Sequence, residues 1–139
     1  MEMNIGKINL YFIITLIKKI ISGGQTGADR GGLEAAKGLG IPTGGYCPKG
    51  WLTENGPDVT LKEFGLIEMD TADYKKRTFK NIETSDGTVI FYAVGKKGGI
   101  LSGGSKLTLS TAKKLKKPVI VNPDEEEFFG KLLWVGIGD

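Results

Sequence analysis

The chain has 139 residues, 40% of them hydrophobic and 25% charged, with a net charge of +3, one cysteine and no histidine. That balance predicts one globular domain able to bury a core without staples, and a charge this small gives no argument for nucleic acid. The lack of histidine excludes a zinc centre of the usual kind and any Ser-His-Asp or Cys-His pair, so proton transfer would fall to carboxylates, Lys, Tyr or Cys.

The lone Cys47 rules out an intramolecular disulfide and suits a reducing, cytoplasmic setting. Residues 8–17, INLYFIITLI, form an apolar run too short to span a bilayer, and Lys18 and Lys19 follow it in place of a small-residue cleavage site. We read neither a membrane anchor nor a signal peptide there. Residues 1–17 are an N-terminal extension and 18–139 a single domain. A core of this size does not cover the whole run, so a homo-oligomer is expected.

Lys19 to Lys37, KIISGGQTGADRGGLEAAK, reads as a strand end (Ile20, Ile21), a glycine turn (Gly23, Gly24, Gly27) and a helix. Thr26 or Asp29 would cap that helix, and Leu33, Ala36 and Leu39 would line its buried face. Gly40 and Pro42 end it. Gly44 to Cys47 is a short strand, residues 52–65 are polar with Gly56-Pro57 as a turn signal, and Leu66 to Met69 is another short strand. Asp73 to Thr84 reads as a helix with Tyr74, Thr78 and Ile82 on one face and Arg77 and Asn81 on the next. After the Ser85-Asp86-Gly87 turn, Thr88 to Val94 reads as a strand covered on both faces. A second glycine loop, Gly98 to Gly104, precedes a helix to Lys117 whose apolar face is Leu109, Ala112 and Leu115. Lys113, Lys114, Lys116 and Lys117 form a solvated face. Pro118 to Asn122 reads as a buried strand.

Strands alternating with helices predict an α/β fold, Rossmann-like and three-layered, with a mainly parallel sheet and helices on both faces. Both glycine loops then follow strand carboxyl ends, the edge where open α/β sheets bind ligands, and their backbone N–H groups suit a phosphate. The loops are expected to lie outside the core. The dinucleotide fingerprint is not met, since Ser22 holds its first glycine position and no acid ends the second strand. A Walker A loop is not met either, because Ser105 intervenes before Lys106.

Five motifs in order resemble a known family: Ser22-Gly23-Gly24-Gln25-Thr26-Gly27-Ala28-Asp29-Arg30, Tyr46-Cys47-Pro48-Lys49-Gly50, Arg77-Thr78 with Asn81, Ser85-Asp86-Gly87-Thr88, and Gly103-Gly104-Ser105-Lys106-Leu107-Thr108. The chain resembles the "putative molybdenum carrier" family, related to the molybdenum cofactor carrier proteins, and is more distantly similar to the lysine-decarboxylase-like phosphoribohydrolases. The match runs from Lys19 to Asn122; residues 1–17 lie outside the pattern, and family members usually continue through a further strand and helix at the C-terminus. The resemblance implies a Rossmann-like oligomer that binds a small molecule, a phosphate-bearing pterin carrying molybdenum (the molybdenum cofactor, or molybdopterin). The implied binding residues are Gly23, Gly24, Gln25, Thr26, Gly27, Asp29, Arg30, Cys47, Lys49, Arg77, Asn81, Gly103, Gly104, Ser105, Lys106 and Thr108.

Arg30 opposes the helix dipole and calls for an anion or a carboxylate partner. Lys106 suits phosphate as a point charge. Cys47 reads either as a soft molybdenum ligand with Lys49 lowering its pKa, or as a buried, inert thiol. No catalytic residue is assigned. Read as an enzyme, the chain would be a nucleoside-monophosphate phosphoribohydrolase with Glu54, Asp86 or Asp29 as its acid/base; but residues 101–108 lack the proline and glutamate of that family's loop. A nucleotide-sensing module is the third reading.

Overall fold

A computed structural model describes residues 17–92, 103–128 and 130. The apolar run 8–16, most of the extension, and residues 93–102, including the start of the second glycine loop, lie outside the described residues. Three parallel strands, β1 (Ile20–Ile21), β2 (Thr43–Cys47) and β5 (Leu66–Glu68), form one sheet in the order β1-β2-β5. Ile20 lies opposite Thr43, and Gly45 opposite Leu66. The crossover from β1 to β2 is α1 (Ala28–Gly38). A two-stranded hairpin, β3 (Leu52–Thr53) and β4 (Gly56–Pro57), and a 3-10 helix (Val59–Phe64) join β2 to β5. Then come α2 (Tyr74–Glu83), β6 (Thr88–Ile90), α3 (Gly103–Lys114) and β7 (Val119–Val121), with β6 and β7 paired in parallel. The architecture is the α/β, Rossmann-like one, with parallel strands and helical crossovers.

Why these elements form is legible locally. Asp73 caps α2, its carboxylate accepting the Lys75 N–H at 2.9 Å. Asp58 does the same for the 3-10 helix through the Thr60 N–H, and Gly65, at φ 75°, closes it. Leu33, Cys47, Leu61, Phe64 and Leu66 form the core between α1, the sheet and the 3-10 helix, with Trp51 packed on its rim. Ile82, Ile90 and Ala112 are buried where α2 and α3 pack together beside β6.

Several expectations need correction. Leu33 and Ala36 are buried, but Leu39 is 41% exposed: α1 ends at Gly38 and Gly40 turns the chain at φ 74°. The N-cap of α1 is Gly27, without a side-chain cap, because the Asp29 carboxylate reaches back to Gln25 instead. Gly56 and Pro57 pair in β4, and the turn falls one step earlier, at Glu54 and Asn55. Only Ile90 is buried in β6; Val89 and Phe91 are 37% and 57% exposed, so this strand is covered on one face. β7 is half-buried throughout. Gly103 and Gly104 belong to the first turn of α3, which ends at Lys114 and not at Lys117. Among the described residues no helix is long and apolar enough to cross a membrane.

Candidate ligand-binding site

The chain leaves β1 at Ser22, whose hydroxyl donates to the Asp29 carbonyl at 3.0 Å and accepts the Gly24 N–H at 3.2 Å. Gly24 then takes φ 76°, and a β-carbon there would stand 2.9 Å from the methyls of Leu61 and Leu66. The first glycine loop is therefore set into the core at Gly24, not clear of it as expected. Gly23 passes beneath Arg77, and a β-carbon there would run into the guanidinium. The Gln25 side chain donates to the Leu52 carbonyl at 3.1 Å and accepts the Glu54 N–H at 3.0 Å. That amide is a strut fastening the β3–β4 hairpin to the loop, with both ends engaged by protein. Thr26 and Gly27 are exposed at the loop's crest.

Arg77 is the cation of this region. Its side chain is 12% exposed, its Nη1 meets the Asp29 carboxylate at 3.5 Å, and its Nη2 reaches the Thr78 hydroxyl at 3.3 Å. Its Nε is buried without a hydrogen-bond partner among the described residues, an expensive omission for a charged donor. The same Asp29 oxygen accepts the Gln25 N–H at 3.2 Å. Burial pushes the Asp29 carboxyl above the usual carboxylate value, and the Arg77 charge pulls it part of the way back. Beside these groups opens a pocket of about 370 Å³ lined by Gln25, Glu54, Tyr74, Lys75, Arg77, Thr78, Gly104 and Leu107. It joins Gln25 of the first loop, the hairpin turn, the start of α2 and the first turns of α3. A cavity of that size is in the range of small-ligand sites.

Other expected residues are placed elsewhere. Arg30 points away from the pocket: it pairs with Glu34 and Asp58, each at 3.1 Å, donates to the Thr60 hydroxyl and lies over the Phe64 ring. Its partners in the structure are carboxylates. Asn81 exchanges both its amide groups with the backbone of Tyr46, at 2.8 and 3.0 Å, tying α2 to β2. Cys47 is fully buried, and burial, with Glu68 nearby, raises its thiol; Lys49 is exposed in the following turn. On α3 the pocket takes Gly104 and Leu107, while Lys106 is exposed beside them, Ser105 half-buried, and the Thr108 hydroxyl bonded to the Gly104 carbonyl at 2.8 Å. The pocket residues the sequence did not mark as binding are Glu54, Tyr74, Lys75, Thr78 and Leu107. Tyr74 and Thr78 share a helical face, as expected, but Tyr74 sits in the pocket wall and not the core. Its place in the first turn, one helical turn before Thr78 and next to Arg77, was the available signal.

Residues 20–133 match the model of the circularly permutated YpsA SLOG family. A crystal structure of a "putative molybdenum carrier protein" from Syntrophus aciditrophicus is 50% identical, with a TM-score of 0.67, over 76% of this chain and 63% of that one. This chain thus spans under two thirds of that relative. No curated protein matches.

Proposed function

The chain belongs to the circularly permutated YpsA SLOG family, and from that premise we propose that it carries a phosphate-bearing small molecule, a molybdopterin by preference, without transforming it. The observation that carries the reading is Arg77: a guanidinium set in a pocket wall with its Nε lacking a partner among the described residues. Such a group is completed by an oxyanion, whose paired oxygens match the guanidinium fork. Lys75 adds a second positive charge, the exposed part of Tyr74 and Leu107 offer apolar surface to a planar ring, and the Glu54 carboxylate can accept ring N–H groups. The similarity to a protein named for carrying molybdenum supports the choice of cargo. Among the described residues there is no cluster of His, Cys, Asp or Glu fit to hold a metal, and Cys47 is sealed in the core. In this reading the pocket holds the organic part of the cargo. We further propose that the working form is a cytoplasmic homo-oligomer.

Native mass spectrometry of the purified chain, followed by titration calorimetry with a phosphopterin and with nucleoside monophosphates, tests this. A phosphopterin that binds the parent and is lost on Arg77→Met supports the carrier. Equal binding by Arg77→Met removes the pocket from the account. One observation favours a second reading, the phosphoribohydrolase: Glu54 places a carboxylate in the same pocket as Arg77. Release of free base from a nucleoside monophosphate, abolished by Glu54→Gln, would make that reading the better one.

A further inference from the structure

Two donors at the edge of the pocket converge on a single oxygen. The Gln25 backbone N–H reaches Asp29 Oδ2 at 3.2 Å, and Arg77 Nη1 reaches the same atom at 3.5 Å. A backbone N–H in a glycine loop together with a guanidinium is the donor set that receives a phosphate oxygen. Here the chain's own carboxylate receives it. The seating is loose, since the Arg77 contact is long and the Nε is left over.

We propose that Asp29 is the resident occupant of the anion seat, that a ligand enters by displacing it from Arg77, and that this makes Asp29 the residue selecting dianionic oxyanions over monoanions. The inference rests on the carrier reading only in taking the pocket as an anion site. An intramolecular carboxylate competes at high effective concentration with any single negative charge. A second charge on the incoming group overcomes it, and the discrimination comes from the repulsive element built in beside the attractive one. The charged groups facing Asp29 are Arg77 from α2 and Glu54 from the hairpin turn. Lys75 and Tyr74 complete that side of the pocket, α3 contributes the uncharged Gly104 and Leu107, and Arg30 on the same helix is engaged by Glu34 and Asp58. Protonation of Asp29 removes its competition, so an anion of fixed charge binds more tightly as pH falls.

The test uses the full chain and two probes whose charge does not change over the working range: inorganic sulfate, a dianion, and methyl sulfate, a monoanion. Calorimetry runs from neutral pH down to about pH 4, the ordinary carboxylate value, so that a raised Asp29 carboxyl titrates inside the window. The parent should bind sulfate, more tightly toward the acid end, and bind methyl sulfate weakly if at all. Asp29→Asn should bind sulfate roughly three- to tenfold more tightly than the parent at neutral pH, a range set by a partly exposed ion pair. It should lose the pH dependence and admit methyl sulfate. Sulfate binding by Asp29→Asn that is no tighter than the parent's, or an unchanged pH profile that points to Glu54, overturns the proposal. The parent's own profile needs no variant to fold: a flat one overturns it too. If a phosphopterin still binds through Arg77 in that case, the carrier reading survives alone; if neither sulfate nor phosphopterin binds the parent, both fall.

Discussion

Arg77 owes its character to what lies under it. Glycine at position 23 lets the guanidinium lie against the loop backbone, and the Tyr74 ring sits 5.5 Å from its centre. Replacing it by Met keeps the stem and removes the charge, and should weaken binding of a phosphorylated ligand roughly ten- to a hundredfold in calorimetry. Arg77→Lys should recover part of this, because a point charge cannot supply the fork. Asp29 gives a pH signature in folding as well. Its carboxyl is raised in the folded protein, chiefly by burial, so the folded state holds the proton more firmly than the unfolded one. Stability from this group is therefore greatest at acid pH and declines as pH rises through the raised value. Asp58 has the opposite sign: hydrogen bonds from Thr60, with Arg30 adding its charge, lower its carboxyl, so its contribution is present above the ordinary carboxylate value and is lost on acidification. Urea titrations across the acid range should show the Asp29 slope vanish in Asp29→Asn and the Asp58 slope vanish in Asp58→Asn. The two glycines that the sequence treats alike also separate. Gly24→Val drives a β-carbon into Leu61 and Leu66 at a positive φ and should cost about 2–5 kcal/mol of stability. Gly104 has open space around it, so Gly104→Val should fold like the parent and lose ligand.

Among elements, α2 was the most legible. Asp73 as its cap, Thr84 as its end, and Thr78 with Ile82 on the buried face can all be read from the chain. Asp73→Ala should cost about 1 kcal/mol, read from the urea midpoint. In the first strand–loop–helix unit the glycines, Ile20, Ile21 and the Leu33–Ala36 spacing are local signals, whereas its Gly27 cap and the exposure of Leu39 are not. What the sequence hid was direction. Nothing local tells that the Asp29 carboxylate turns back to Gln25 and Arg77 while neighbouring Arg30 turns to Asp58, a partner 28 residues away. Nor does Gln25 announce that both ends of its amide are bound to a hairpin whose own strands are two residues long. Tyr74 shares the face of Thr78 and Ile82, yet it lines the pocket, because periodicity reports a face and not the hollow between two helices. Glu54, an acid/base candidate in the sequence, owes its place at the pocket to Gln25, which fixes its backbone N–H.

At the scale of the whole chain, the subunit contact is expected to involve the extension. The full chain should sediment as a dimer or larger at micromolar concentration, and a monomer with residues 1–17 intact would remove that expectation. The described surface exposes Val59, Ile67 and Phe91. The Asn81 contact with Tyr46 has a consequence for time as well as for shape. Ser22 N–H meets the Gly44 carbonyl, and the next rung of that ladder would fall at Tyr46, but β1 has already turned away into the glycine loop. Asn81 supplies the absent rung. In the other half, Asn122 does the same for Tyr92, at 2.9 and 3.0 Å, just past the end of β7. Each of the two parallel sheets carries at its carboxyl edge an asparagine side chain that imitates a peptide. The amide protons of Tyr46 and Tyr92 should consequently exchange with solvent deuterium on the slow schedule of the strand interior.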